Sequence, residues 1–182
     1  EELDRDEVSF GVRTLQLDAR QGLRVNGKSV KLRGACIHHD NGPLGAATIL
    51  DAELRRVKIL KEAGFNAIRM AHNPASIPLL DACDRLGMYL MDESFDVWTR
   101  PKKDLDYSLF SEDVSAMVRK DRPHPSVVLY SLGNEIPEVG MPQGSDLGRE
   151  MARLVKDLDA ERFTMVSING AFAAGDEVDR IM

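Results

Sequence analysis

Cysteine is scarce in this chain. There are two in 182 residues, Cys36 and Cys83, without CxxC spacing and each within an apolar stretch. Neither a disulfide framework nor a zinc site is expected from that pattern; two buried free thiols are. Long apolar runs are missing too. No stretch of 18 or more apolar residues occurs, so no transmembrane helix is expected. Basic charge is in deficit, with 24 Lys and Arg against 30 Asp and Glu and a net charge of −6. Nucleic acid and anionic membrane both call for a basic face, so neither is expected as the main partner. The opening "EELDRDEVSF" is acidic and lacks a signal-peptide pattern, which leaves the compartment unknown. What remains is 43% hydrophobic and 30% charged, the composition of a globular domain with a sizeable core.

Periodicity gives the elements. "VSFGVRTLQL" (8–17) alternates as a strand does, and Asn26-Gly27 between two strand-like runs predicts a hairpin. A rhythm follows. "VKLRGACI" (30–37) reads as a strand. The next segment reads as a helix with Asp51 as N-cap, with Leu54, Val57, Leu60 and Lys61 at helical spacing and Gly64 as the stop. "FNAIRM", "MYLMDE", "SVVLYSL" and "RFTMVSI" read as further strands. The helices "SIPLLDACDRLG", "SEDVSAMVRK" and a segment over 145–158 separate them. Strand and helix alternating this regularly predict an α/β fold with a parallel sheet. A doubly wound open sheet and a (β/α)₈ barrel both fit. The absence of GxGxxG and GxxxxGK[ST] after the first strand counts against the nucleotide-binding open sheets.

The unusual polar residues fall just after strands: His38, His39 and Asp40; Arg69, His72 and Asn73; Asp92, Glu93 and Asp96; Asn134 and Glu135; Asn169. In parallel α/β folds those ends share one side, where the site lies. Asp40 and Asn73 also suit turns. Arg69 also suits an ion pair with Asp92 or Glu93, and His124, before the fourth strand, reads as structural. Glu135 is harder to explain as packing, because a buried carboxylate without a basic neighbour is costly.

Other absences narrow the chemistry. No GxSxG is present, and the histidines after the first strand are adjacent rather than His-x-His. A Cys36–His38 pair is a weak alternative. A metal site from His38 or His39, His72, Asp92 and Glu93 is another. The stronger reading is carboxylate chemistry on a carbohydrate, with Glu135 as general acid/base among imidazoles, an amide and an arginine.

Two segments, "NAIRMAHNPASIPLLDACDRLGMYLMDE" and "RKDRPHPSVVLYSLGNE", resemble the signature regions of glycoside hydrolase family 2, the β-galactosidases, β-glucuronidases and β-mannosidases. "LRVNGKSVKLRGACIHHD" is similar to the hairpin that opens that family's catalytic barrel, and "FGVRTLQLD" to the last strand of the immunoglobulin-like domain before it. The resemblance runs from about Val8 to Ile168. It implies residues 1–19 as the end of a β-sandwich domain and linker, and 20–182 as the first part of a TIM barrel, about five β/α units. It further implies a retaining mechanism, β-galactosidase first among the specificities, with Glu135 as general acid/base. Asn134 would bond the sugar 2-hydroxyl, and His38 and His72 would line the sugar subsite. Arg69 would orient the nucleophile, and Trp98 would be either a stacking platform or a packing residue.

There are two departures. The positions where some family members carry magnesium ligands are here Val97 and Thr99, so no metal or other cofactor is expected. The family's nucleophile, a Glu ending strand seven, has no counterpart in 182 residues, which fall short of the about 250 of a TIM barrel. The chain alone is therefore expected to be inactive toward its carbohydrate substrate, and its open sheet edges are expected to favour self-association. A non-catalytic carbohydrate-binding remnant and a metal-dependent barrel hydrolase are the competing readings.

Overall fold

Asn26 and Gly27 both adopt left-handed backbone, φ 50° and 74°, as a tight two-residue hairpin turn demands. They join β2 (Gly22–Val25) to β3 (Lys28–Ser29), and β1 (Leu15–Asp18) pairs antiparallel with the other side of β2. The structure, a computed structural model, describes residues 3–96, 98, 110–136 and 142–168. Val97, Thr99 and Asn169, singled out above, lie outside them.

The strand expected over 8–17 is confined to its last part. Residues 3–14 form no regular element, because no strand pairs with them among the described residues. Their anchors are on residues 123–127, more than a hundred positions along the chain. Gly11 donates its N–H to Pro123 O at 3.3 Å. Arg13 donates Nε to Pro125 O at 2.8 Å and Nη2 to Val127 O at 2.5 Å. The alternating Val8, Phe10 and Val12 are left exposed. The boundary expected between 19 and 20 falls in the turn joining β1 to β2.

The strands β4 (Gly34–His38), β5 (Ala67–Ala71), β6 (Tyr89–Glu93), β7 (Val127–Asn134) and β8 (Phe163–Ser167) form one parallel sheet in sequence order. The helices α1 (Leu50–Glu62), α2 (Ile77–Leu86), α3 (Phe110–Asp121) and α4 (Pro142–Leu158) are the crossovers between them. Five strands in chain order with a helix after each of the first four make a partial barrel rather than a doubly wound sheet.

Local signals place most ends. Ser76 caps α2 by accepting the Leu79 N–H at 3.3 Å, and Gly87 ends it in left-handed backbone. Asp51 is not a cap. Helix α1 begins at Leu50, Ile49 takes the N-cap position, and Asp51 joins the first turn beside Glu53. There a carboxylate suits the positive end of the helix dipole.

Side chains alternate across each strand. Ile37, Ile68, Met70, Leu90, Tyr130 and Leu132 face the helices and pack into one core with Val57, Leu80, Val118, Met151 and Val155. The intervening positions, among them Cys36, His38, Arg69, Glu93 and Ser131, face the other way. Leu23 and Val25 of the hairpin pack with Val128, Tyr89 and Phe163, covering this inner face at the strands' N-terminal ends. Val128 reaches it through a register shift, in which Leu90 pairs with Val127 but Met91 with Leu129. Only one of the two cysteines is buried as expected. Burial pushes the Cys83 thiol up, whereas Cys36, on the open inner face, is exposed.

The N-terminal ends are held by polar ties. Arg162, 4% exposed, donates to the carbonyls of Val127, Arg122 and His124 and pairs with Asp159. His124 Nδ1 lies 2.6 Å from Asp84 Oδ2. Burial pushes the Asp84 carboxyl up, but bonds from His124 and Ser126 outweigh it and hold the group below its ordinary range. His124 is thus structural, as its sequence position predicts.

Candidate active site

Glycine at 133 is a steric requirement. A Cβ there would lie 2.5 Å from Ile136 Cδ1 and 2.8 Å from Trp98 Nε1. This close approach lets β7 run on to Asn134 at the C-terminal edge. The turn beyond is pinned on both sides: Asn134 N–H donates to Phe95 O at 3.0 Å, and Glu135 N–H donates to Ser167 O at 2.8 Å. Glu135 sits in left-handed backbone, φ 49°. A non-glycine residue there is uncommon, and such strain recurs at functional positions. Its side chain is exposed, so the burial argument made from sequence does not hold; the carboxylate stands at the sheet's open end.

Beside it lies a network centred on Glu93, which is fully buried at the end of β6. Glu93 Oε2 accepts from Arg69 Nε at 2.9 Å, Arg69 Nη2 at 2.5 Å and Ser131 Oγ at 2.6 Å. Its Oε1 lies 2.6 Å from His72 Nδ1. The same Arg69 Nη2 donates to Asn134 Oδ1 at 2.9 Å. His72 follows β5 across a cis Ala71–His72 peptide and meets His38 edge to face, ring centroids 5.3 Å apart at 88°. Helix α1 steadies the loop after β4 through Arg56, which donates to the His38 carbonyl at 3.1 Å and pairs with Glu53 at 3.3 Å.

Four of the six expected site residues, His38, His72, Arg69 and Asn134, are therefore linked through contacts, and Glu135 adjoins them in the chain. Arg69 takes Glu93, not Asp92, as its ion-pair partner. Trp98 does not join them. It is 3% exposed, and its indole N–H donates to Leu132 O at 2.8 Å. It packs in the core and offers no open ring face for stacking, because the room beside it exists only where Gly133 lacks a side chain. His39 is half-buried, while Asp40 and Asn73 are exposed.

Sequence reading gave Ser131 no role, and Glu93 only a place in the alternative metal site and as one of two ion-pair candidates for Arg69. Glu93 was legible as one of two acids at the end of β6, and Ser131 as a small polar residue inside an apolar strand. Only the register, Glu93 opposite Ser131, shows that they meet.

Behind this layer, Asp92 is also fully buried. Its Oδ1 accepts from Ala75 N–H at 2.7 Å and Glu93 N–H at 3.0 Å, and Lys120 Nζ lies 3.5 Å from its Oδ2. Lys120 also bonds Ala75 O at 2.8 Å and pairs with Asp121. Burial first, then the charge of Asp92, push the Asp121 carboxyl up to about 9.

Positions 97 and 99, from which no magnesium site was expected, lie outside the described residues.

The site places one exposed carboxylate beside two imidazoles and an amide held by the half-buried Arg69, which pairs with the fully buried Glu93. Such a set can exchange a proton with a polyhydroxylated ligand while bonding its hydroxyls.

Residues 17–182 match the model for the TIM barrel domain of family 2 glycosyl hydrolases. Among curated proteins, the chain is 44% identical over 159 residues to a β-galactosidase, BoGH2A, of Bacteroides ovatus, covering 84% of this chain and 19% of that protein. Among solved structures, it superimposes on a family 2 glycosyl hydrolase from Bacteroides cellulosilyticus with a TM-score of 0.88 and 46% identity, covering 96% of this chain and 23% of the other. It superimposes on a β-glucuronidase of Bacteroides uniformis with a TM-score of 0.76 and 27% identity, covering 92% and 22%. The chain thus spans about a fifth of the length of these relatives.

Proposed function

Because the chain belongs to glycoside hydrolase family 2, we propose that it supplies the acid/base half of a retaining β-glycosidase active site, with a β-galactoside as substrate. The observation that carries this reading is Glu135: an exposed carboxylate on strained backbone at the C-terminal end of a barrel strand, next to an amide held by Arg69.

In such a mechanism Glu135 protonates the leaving glycosidic oxygen, then takes a proton from the water that releases the sugar. Asn134 donates its amide N–H to the 2-hydroxyl, and His38 and His72 border the same sugar. A second carboxylate, about 5 Å from the first, forms the glycosyl-enzyme. On the family resemblance, it is proposed to lie on a later strand than those described. The 182 residues alone are therefore proposed to bind sugar without hydrolysing it, and residues 1–19 to close a preceding β-sandwich domain.

The preference for galactose rests on the similarity to the Bacteroides ovatus β-galactosidase. β-Glucuronidase is the second reading, favoured by the likeness to the Bacteroides uniformis structure. Side-by-side assays of the whole protein on nitrophenyl β-galactoside, β-glucuronide and β-mannoside separate these. Fastest turnover of the galactoside supports the proposal, and fastest turnover of either other substrate replaces it.

A further inference from the structure

Glu93 is fully buried, yet His72, Arg69 and, through Arg69, the amide of Asn134 are all tied to it. We infer that Glu93 is the positioning residue of this site: it locks the proton of His72 onto Nδ1 and, through Arg69, locks the amide of Asn134, so that the site offers an acceptor from one and a donor from the other.

The inference follows from donor and acceptor inventories. A guanidinium has donors only, so the Asn134 atom 2.9 Å from Arg69 Nη2 is the amide oxygen. The Asn134 NH₂ group is thereby left as the half that can face a ligand. Glu93 Oε2 receives two N–H bonds from Arg69 and the hydroxyl of Ser131. A carboxylate paired with arginine accepts and does not donate. The 2.6 Å contact of Oε1 with His72 therefore needs its proton on Nδ1. In a neutral imidazole Nε2 then carries the lone pair. A sugar hydroxyl at His72 would donate to the ring, and one at Asn134 would accept from the amide. The assignment of these atoms to sugar hydroxyls rests on the function proposed above; the tautomer and the amide orientation do not.

Glu93→Gln tests this without depending on turnover. Arg69, which has donors only, requires an oxygen at the Oε2 position, so the new NH₂ must face His72 and force its Nδ1 to accept. Histidine ring ¹⁵N spectra of the whole protein, assigned by the loss of signals in His72→Gln, report the tautomer directly. In the wild type, His72 is expected to show a protonated Nδ1 and a lone pair on Nε2. In Glu93→Gln the two should exchange, and in Ser131→Ala, which keeps the carboxylate, they should stay. The substrate-dependent readout is a fall in kcat/KM of Glu93→Gln on the order of 10²-fold, as for a misplaced site group. A wild-type His72 with its lone pair on Nδ1 would overturn the inference even if the variant failed to fold. So would an unchanged tautomer in a folded Glu93→Gln, or an exchange in Ser131→Ala. Absence of any glycosidase activity in the wild type would sink the proposed function and leave this result standing.

Discussion

Arg69, on β5, reaches over β6 to Asn134 on β7, Nη2 to Oδ1 at 2.9 Å, while the same guanidinium pairs with the buried carboxylate of Glu93 on the strand between. Three adjacent strands are stitched at their C-terminal ends by one side chain. Removing it would strand Glu93, which is fully buried. Arg69→Met is expected to destabilise the fold by about 3 kcal/mol, the cost of breaking a buried pair from one side. Urea unfolding of the variant against the wild type measures this, and an unchanged midpoint would mean that Glu93 finds another partner.

Gly133 predicts a steric effect with no chemistry in it. Its missing Cβ is the space that Ile136 and Trp98 occupy, at 2.5 and 2.8 Å. Gly133→Ala should cost about 1–3 kcal/mol through overpacking and displace the turn that carries Glu135. Thermal unfolding reads the first effect. The environment of Trp98, the one tryptophan in the chain, reads the second by fluorescence.

Asp121 sets a pH dependence. Its carboxyl is raised from 3.8 to about 9, by burial and then by Asp92, with Lys120 pulling against them. Between those values the folded chain keeps a proton that the unfolded chain releases. Stability conferred by the protonated group is complete below about pH 4 and is lost as the pH climbs toward 9, by at most about 1.4 kcal/mol per pH unit. Asp121→Asn should flatten that decline and raise the unfolding midpoint at pH 8 above that of the wild type. A decline as steep as the wild type's would assign the proton elsewhere.

β4 and β8 are the unpaired edges of the five-stranded sheet among the described residues. Such edges template pairing with other chains. Sedimentation of the 182 residues alone is expected to show association that grows with concentration, and a stable monomer at all concentrations would contradict it.

Much of this was legible in the sequence, for identifiable reasons. The hairpin followed from Asn26-Gly27 and the ends of α2 from Ser76 and Gly87, because those residues act within a few positions of themselves. The side of the sheet on which the site lies followed from where the polar residues fall after each strand. Partners distant in sequence were not legible. Arg69 had two candidate acids, Asp92 and Glu93, and only strand alternation in three dimensions chose Glu93. Trp98 was open to a stacking and a packing reading, and only its bond to Leu132 O and its close approach to Gly133, 35 residues later, decide for packing. Residues 8–14 alternate as a strand would, yet alternation forms no ladder without a neighbouring strand.

The central claim is that Glu135 transfers the proton in glycoside hydrolysis. The most direct test is the rate of nitrophenyl β-galactoside hydrolysis by the whole protein, wild type against Glu135→Gln. The account predicts turnover by the wild type and a loss of about 10²–10⁴-fold in the variant, with its fold intact. A folded Glu135→Gln that hydrolyses the substrate at the wild-type rate would contradict it.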